Sequence, residues 1–207
     1  MGEVTCRQAN DGKTLLTVAV APHQVYGPRD MLFLHNILSA GNKVRVFGKG
    51  TNMCSFTHVD NYCHGLIIAE RALVPGSPAL GGFYIVTDGE PQPFWPSVDR
   101  ALQAVGCVSV FAKFRLPAWF ILPLAYLVAA VGTLLGRKLK LNPFAARMLM
   151  IHRWFNIDSA KRDLGYEPLI PFEQGWADTC TWFATVWEPK HGPNRHKKKQ
   201  QAGGKRT

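Results

Sequence analysis

Few residues in this chain combine a type and a spacing suited to chemistry. His58 stands in Phe56-Thr57-His58-Val59-Asp60-Asn61. An imidazole there could move a proton near neutral pH; it could equally serve at the start of a helix. Cys54, His58, Cys63 and His64 crowd one stretch, but their spacing fits no zinc pattern, so no metal site is assigned. The five cysteines (Cys6, Cys54, Cys63, Cys107 and Cys180) are odd in number and contain no Cys-x-x-Cys pair. Free thiols in a reducing compartment are the simplest expectation.

Those residues need elements to position them. Residues 15–21 form a valine-rich apolar run, suited to a strand buried on both faces of a parallel sheet. A loop over residues 22–30 follows, then a predicted helix over 31–40 stopped by Gly41. Residues 43–47, 56–59 and 82–87 read as extended. Asp60 is placed to cap a helix over 61–73, because a carboxylate accepts from free N–H groups. A helix is expected over 97–105. Residues 158–164 read as a helical turn ending at Gly165, and residues 173–187 as an amphipathic last helix. Alternating strands and helices predict an α/β fold.

Composition shifts at residue 116. Residues 116–136 carry no charge, with Lys113 and Arg115 before them and Arg137, Lys138 and Lys140 after. A run of this length meets the ~20 apolar residues that a bilayer core requires of a helix. It also suits a helix buried in a core, and Pro123 would kink it. Trp119 and Tyr126 suit a lipid–water interface. The net charge of +10 is concentrated after Pro189, where Lys190, Arg195, Lys197, Lys198, Lys199, Lys205 and Arg206 meet no acid. That tail reads as a solvated, disordered extension. Polybasic stretches also attract anionic leaflets, whereas no aromatic residue interleaves with the charges as nucleic-acid binding would favour. The division expected is 1–115 (α/β part), 116–136 (apolar helix), 137–188 (helical region) and 189–207 (basic tail).

In chain order, VAVAPHQVYGPRD (18–30), SFTHVDNYCHG (55–65), YIVTDGEPQPFW (84–95), the apolar run and FNIDSAKRDLGYEP (155–168) resemble the extended short-chain dehydrogenases. More narrowly, they resemble the 3β-hydroxysteroid dehydrogenase group and its branch acting on 4α-carboxysterols. The resemblance implies the C-terminal portion of an NAD(P)-binding Rossmann-type fold with a small substrate-binding subdomain and a membrane-associated helix. Ligands of doubly wound sheets collect beyond the carboxyl ends of strands. On that resemblance Pro22, His23, Gln24 and Val25 are the cofactor-side residues, facing the nicotinamide. The same residues also suit an ordinary proline-rich turn. Ala21 stands where the family usually carries arginine, a departure that bears on that anchoring contact. Tyr26, Phe56 and His58 are the substrate-side residues. Nucleotide-sugar relatives carry Arg-Asp before the aromatic residue, to grip diphosphate; Cys54-Ser55 here suits an apolar ligand better.

The resemblance also shows what these residues lack. Such dehydrogenases hold the pyrophosphate with a glycine-rich turn after their first strand. Gly48-x-Gly50 is the one Gly-x-Gly, and Met53 takes the place of a third glycine. The family's base is a tyrosine with lysine four residues on. Tyr26, Tyr62, Tyr84, Tyr126 and Tyr166 are followed at that spacing by Asp30, Leu66, Asp88, Ala130 and Ile170. No catalytic residue is therefore assigned, and tight NAD or NADP binding by this chain alone is not expected. The complete enzyme implied by resemblance would oxidise the 3β-hydroxyl of a 4α-carboxysterol with NAD(P), and the resulting β-keto acid would lose CO2. The alternative is a non-catalytic, membrane-associated sterol-binding or interaction protein. Expected partners are membrane lipid, sterol, and either a second copy or a missing N-terminal half, at the endoplasmic reticulum membrane with the domain facing the cytosol.

Overall fold

The computed structural model describes residues 2–137 and 142–193. Along the chain run α1 (Gly2–Gln8), β1 (Ala19–Pro22), β2 (Val25–Tyr26), α2 (Leu34–Ala40), β3 (Met53–Cys54), β4 (Thr57–His58), α3 (Val59–Arg71), β5 (Phe83–Val86), β6 (Gln92–Pro93), α4 (Phe94–Ala104), α5 (Ala118–Leu134), α6 (Pro143–Met148), α7 (Asp158–Leu164), α8 (Phe172–Trp182) and α9 (Glu188–His191). A π-helical turn, Phe183–Trp187, joins α8 to α9. They form two compact units. One holds the residues up to Phe33, Ser55–Pro91 and Trp154–Thr179; the other holds Leu34–Cys54, Gln92–Arg153 and the residues from Cys180.

The first unit is α/β. β1 pairs in parallel with β5, Ala19 opposite Phe83 and Pro22 opposite Val86. β2 pairs in parallel with β4. The strand is shorter than the apolar run and shifted towards its end: Leu15 is exposed, and pairing starts only at Ala19. Thr17 accepts from Gly81 N–H and Ala19 donates to the Gly82 carbonyl. Backbone groups of a strand alternate in direction, so Val18 and Val20 turn theirs away from β5. Among the described residues no strand lies on that side. Tyr84, Val86, Ile157, Ala160 and Tyr166 pack as a core against Val18, Val20 and Ile68. α7 ends at Gly165, as expected.

The second unit is mostly helical. β3 and β6 form a short antiparallel pair. Leu34 and Leu38 of α2, with Trp95, Val98 and Leu102 of α4, are among its buried residues. α4 begins at Phe94, three residues before the expected start. Buried Asp99 holds the segment after α4 by accepting from Val110 N–H (2.6 Å) and Ser109 Oγ (3.0 Å), and within α4 it accepts from Gln103 Nε2 (2.6 Å). α2 starts at Leu34 rather than residue 31, because Asp30 accepts from Leu32 and Phe33 N–H and makes a turn there. Residues 43–47 do not form the expected strand: a 3-10 turn, Gly41–Lys43, precedes them, and Phe47 makes only an isolated bridge to Leu116.

α5 covers 17 residues of the expected 116–136 and continues through Pro123. Ile121, Ala125 and Gly132 make its buried stripe. The remainder stays apolar and open: Trp119 is 76% exposed and Leu134 86%, with Phe120 and Leu127 also exposed. Among the described residues no helix is long and apolar enough to cross a membrane. Arg147 of α6 donates to the Tyr126 hydroxyl at 3.0 Å. Pro189, Lys190 and His191, expected in the tail, belong to α9; residues 194–207 lie outside the described residues.

Candidate functional site

The residues of the candidate site belong to the first unit. β1 delivers the chain to Pro22, opposite Val86, and the next three residues turn it into β2. His23 donates its N–H to Thr57 Oγ1 (3.1 Å), and its carbonyl accepts within 2.8 Å of the same hydroxyl. Its Nδ1 lies 2.7 Å from the Ser55 carbonyl. A carbonyl accepts only, so Nδ1 carries a proton. Phe155 meets the ring edge-on at 4.9 Å. Gln24 and Arg29, at φ 43° and 69°, are the non-glycine residues with positive φ among those described. Both lie in the loop between β1 and α2. Strain of this kind costs of order 1–3 kcal/mol per residue and clusters at ligand clamps and switches.

Tyr26, Phe56 and His58 meet, as a shared site requires, but inside the protein. Tyr26 is 1% exposed, and Phe56 and His58 are buried with it. Tyr26 lies edge-on to Phe56 at 6.0 Å and to His58 at 5.3 Å. Phe172 and Trp176 of α8 complete the cluster, with Trp176 5.0 Å from Tyr26 and 5.1 Å from Phe56. Gly175 permits this approach: a Cβ there would stand 2.8 Å from the Tyr26 hydroxyl and 2.9 Å from His58 Cδ2. Tyr26 also borders a cavity of about 240 Å³ formed by Val25, Gly27, Pro28, Arg29 and Val59 among others.

His58 caps α3. Its Nδ1 accepts from Asp60 N–H at 3.3 Å, the role that the sequence suggested for Asp60. The side chain of the preceding residue gains this bond because His58 itself is the extended residue before the helix. His58 N–H in turn donates to Asp88 Oδ1 at 2.7 Å, where Asn61 Nδ2 also donates at 2.7 Å. Asn61 further donates to the Ile170 carbonyl and accepts from Ile170 N–H. Thr57, Asn61, Asp88, Phe155 and Trp176 therefore organise the site without having been singled out from sequence, and Ser55, noted there only for its neutrality, does so through its carbonyl. Asp88 offered one signal, a carboxylate just past the carboxyl end of a predicted strand.

Burial pushes the Asp88 carboxyl above the usual carboxylate range, more than its donors lower it. The folded state thus favours the protonated form. The stability this contributes is fully present below the unfolded pKa, near 3.8, and is lost as pH rises through the folded one. Asp88→Asn keeps an acceptor for the two Oδ1 donors, His58 N–H and Asn61 Nδ2, and removes the buried charge. Its melting temperature should equal or exceed wild type at pH 8, and the dependence above pH 4 should flatten. Asp88→Ala should lose about 1–3 kcal/mol. Thermal melts across pH check this; an Asn variant as unstable as the Ala variant would show that the charge itself is needed.

These residues do not fit a whole dinucleotide. The glycines of Gly48-Lys49-Gly50 serve packing in the second unit: a Cβ on Gly48 would press on Met150, and one on Gly50 would stand 2.6 Å from Val46. What remains is a strained loop at the carboxyl end of a parallel strand, the place for one end of a ligand. Among the described residues no group of three or more His, Cys, Asp or Glu side chains is placed to hold a metal ion.

Known proteins resemble this chain in sequence and in fold. Arabidopsis thaliana 3beta-hydroxysteroid-dehydrogenase/decarboxylase isoform 1 is 33% identical over 194 residues, covering 88% of this chain and 44% of its own length. Mouse sterol-4-alpha-carboxylate 3-dehydrogenase, decarboxylating, is 30% identical over 183 residues, covering 84% and 50%. The chain thus spans about half or less of the curated relatives it matches. Two solved structures show the same fold at 16% identity. They are Bacillus cereus UDP-glucuronic acid 4-epimerase with UDP-glucuronic acid and NAD (TM-score 0.56, 89% of this chain and 50% of that one), and Bacillus anthracis dTDP-glucose 4,6-dehydratase with NAD (TM-score 0.53, 90% and 50%). The model of the 3-beta hydroxysteroid dehydrogenase/isomerase family matches residues 1–112. On that match, and on the motifs that precede it, the chain belongs to the 3-beta hydroxysteroid dehydrogenase/isomerase family.

Proposed function

We propose that this chain is the substrate-side part of an NAD(P)-dependent 3β-hydroxysteroid dehydrogenase that oxidises and decarboxylates a 4α-carboxysterol, and that it does not turn over alone. The observation that carries the reading is the strained loop 22–30 at the carboxyl end of β1, in a chain of this family. NAD or NADP supplies the hydride acceptor in such enzymes. This chain's residues contribute position: Thr57 and Ser55 hold His23, and the aromatic cluster fixes Tyr26 beside the cavity. Neither a glycine-rich turn of the family kind nor Tyr-x-x-x-Lys occurs in these 207 residues. The open side of β1 supports a partner that adds a parallel strand, such as a dinucleotide-binding half.

Attachment to a membrane belongs to the same proposal. The bare apolar side of α5, flanked by Arg115 and Arg137, supports a helix lying in one leaflet. The proposed site is the endoplasmic reticulum membrane, with the protein on its cytosolic side and membrane lipid and sterol as partners.

The test supplies a 4α-carboxysterol with NAD+ or NADP+ to the purified chain and follows CO2 release and cofactor binding. The expected result is no turnover and no binding below millimolar cofactor. Turnover should appear when a polypeptide carrying the glycine-rich turn and Tyr-x-x-x-Lys is co-expressed. Turnover by the chain alone would refute its incompleteness. Sterol binding with no turnover in the co-expressed pair would favour the second reading, a non-catalytic sterol-binding protein.

A further inference from the structure

The second unit holds a larger cavity than the loop just described, about 340 Å³. Its wall is apolar, with Ile37, Phe47, Val98 and Leu149 among its residues, and Lys43 and Arg45 border it. No carboxylate side chain lines it. Arg45 spends Nη1 on the Asn42 and Val44 carbonyls and lies over Phe114, with Cζ 5.6 Å from the ring centroid. Among the described residues neither cation pairs with an acid.

Trp95 adds an independent sign. It lines the same cavity and is 2% exposed, and its Nε1–H is buried with no hydrogen-bond partner among the described residues. An unsatisfied buried donor costs about 1–3 kcal/mol. Buried indole N–H groups usually find an acceptor. Of the polar side chains in that wall, Asn36 can donate and accept, while Lys43, Arg45 and the Trp95 indole N–H only donate. Ligand sites commonly combine such an apolar wall with a few convergent polar groups.

We propose that this cavity binds an apolar monocarboxylate, its hydrocarbon body against the apolar wall and its carboxylate held by Lys43 and Arg45, with the Trp95 N–H as a further donor. The proposal stands whether or not the chain takes part in an oxidation. A flexible acyl chain and a fused-ring acid share this chemistry, so both serve as probes.

The experiment titrates the full chain with dodecanoate, with lithocholate and with dodecan-1-ol by calorimetry. Saturable one-to-one binding of at least one acid is expected, tighter than the alcohol, and the tighter acid identifies the shape of the body. Replacing both cations (Lys43→Ala with Arg45→Ala) should weaken that acid roughly tenfold or more and leave the alcohol nearly unchanged. Trp95→Phe keeps the ring and removes the donor; a loss of about threefold to tenfold is expected. The proposal is overturned if neither acid binds saturably or tighter than the alcohol. It is equally overturned if the charge variant, folded by circular dichroism, binds the acid as wild type does.

Discussion

Trp176→Ala should destabilise the unit that carries the candidate site by about 3–5 kcal/mol. The indole is 0% exposed and touches Tyr26, Phe56 and Phe172. Deleting it removes the largest buried side chain of that cluster and leaves a cavity whose neighbours, on β2, just before β4 and on α8 itself, cannot jointly collapse it. Domains are stable by only about 5–15 kcal/mol, so the loss is a large share of the total. Chemical denaturation followed by circular dichroism measures it. Trp176→Phe retains most of the contact and should cost less than about half as much. A loss under about 1 kcal/mol for the alanine variant would mean that the ring cluster is not what holds β2, β4 and α8 together.

The other large effect concerns α5. Replacing Trp119, Phe120, Leu127 and Leu134 together by serine should lower partitioning into phosphatidylcholine vesicles about a thousandfold. Each side chain contributes about 1–2 kcal/mol when its apolar area leaves water, and four together exceed the roughly 4 kcal/mol that a thousandfold change represents. All four are exposed, and substitutions at exposed sites usually change stability by less than about 0.5 kcal/mol each. Vesicle co-sedimentation of both proteins, each checked for folding, reads the difference. Equal sedimentation would place membrane attachment elsewhere in the chain, or nowhere.

Local features were legible in the sequence to the extent that neighbours along the chain decide them. The valine-rich run overlaps β1, and α7 spans the residues expected, because hydrophobic pattern and a terminal glycine suffice there. The strand expected over residues 43–47 failed on tertiary grounds: the segment finds only an isolated bridge, at Phe47 to Leu116. The His58 cap shows the same limit at finer scale. Asp60 is the better capping residue by type, but the chain leaves its extended conformation at His58, two residues too early for it. Tyr26, Phe56 and His58 could be grouped from their motifs. Their enclosure could not, since it depends on α8, more than 100 residues further on. The Asn61 clasp on Ile170, across 109 positions, is of that kind too.

The rim of β1 has a last implication, one of solubility. Val18 and Val20 present backbone groups on an apolar ribbon beside which no strand lies among the described residues, and ribbons of this kind template pairing between molecules. The isolated polypeptide should therefore clump as a function of its own concentration, well below the temperature at which its core melts. Whatever covers that rim acts as a chaperone as much as a partner.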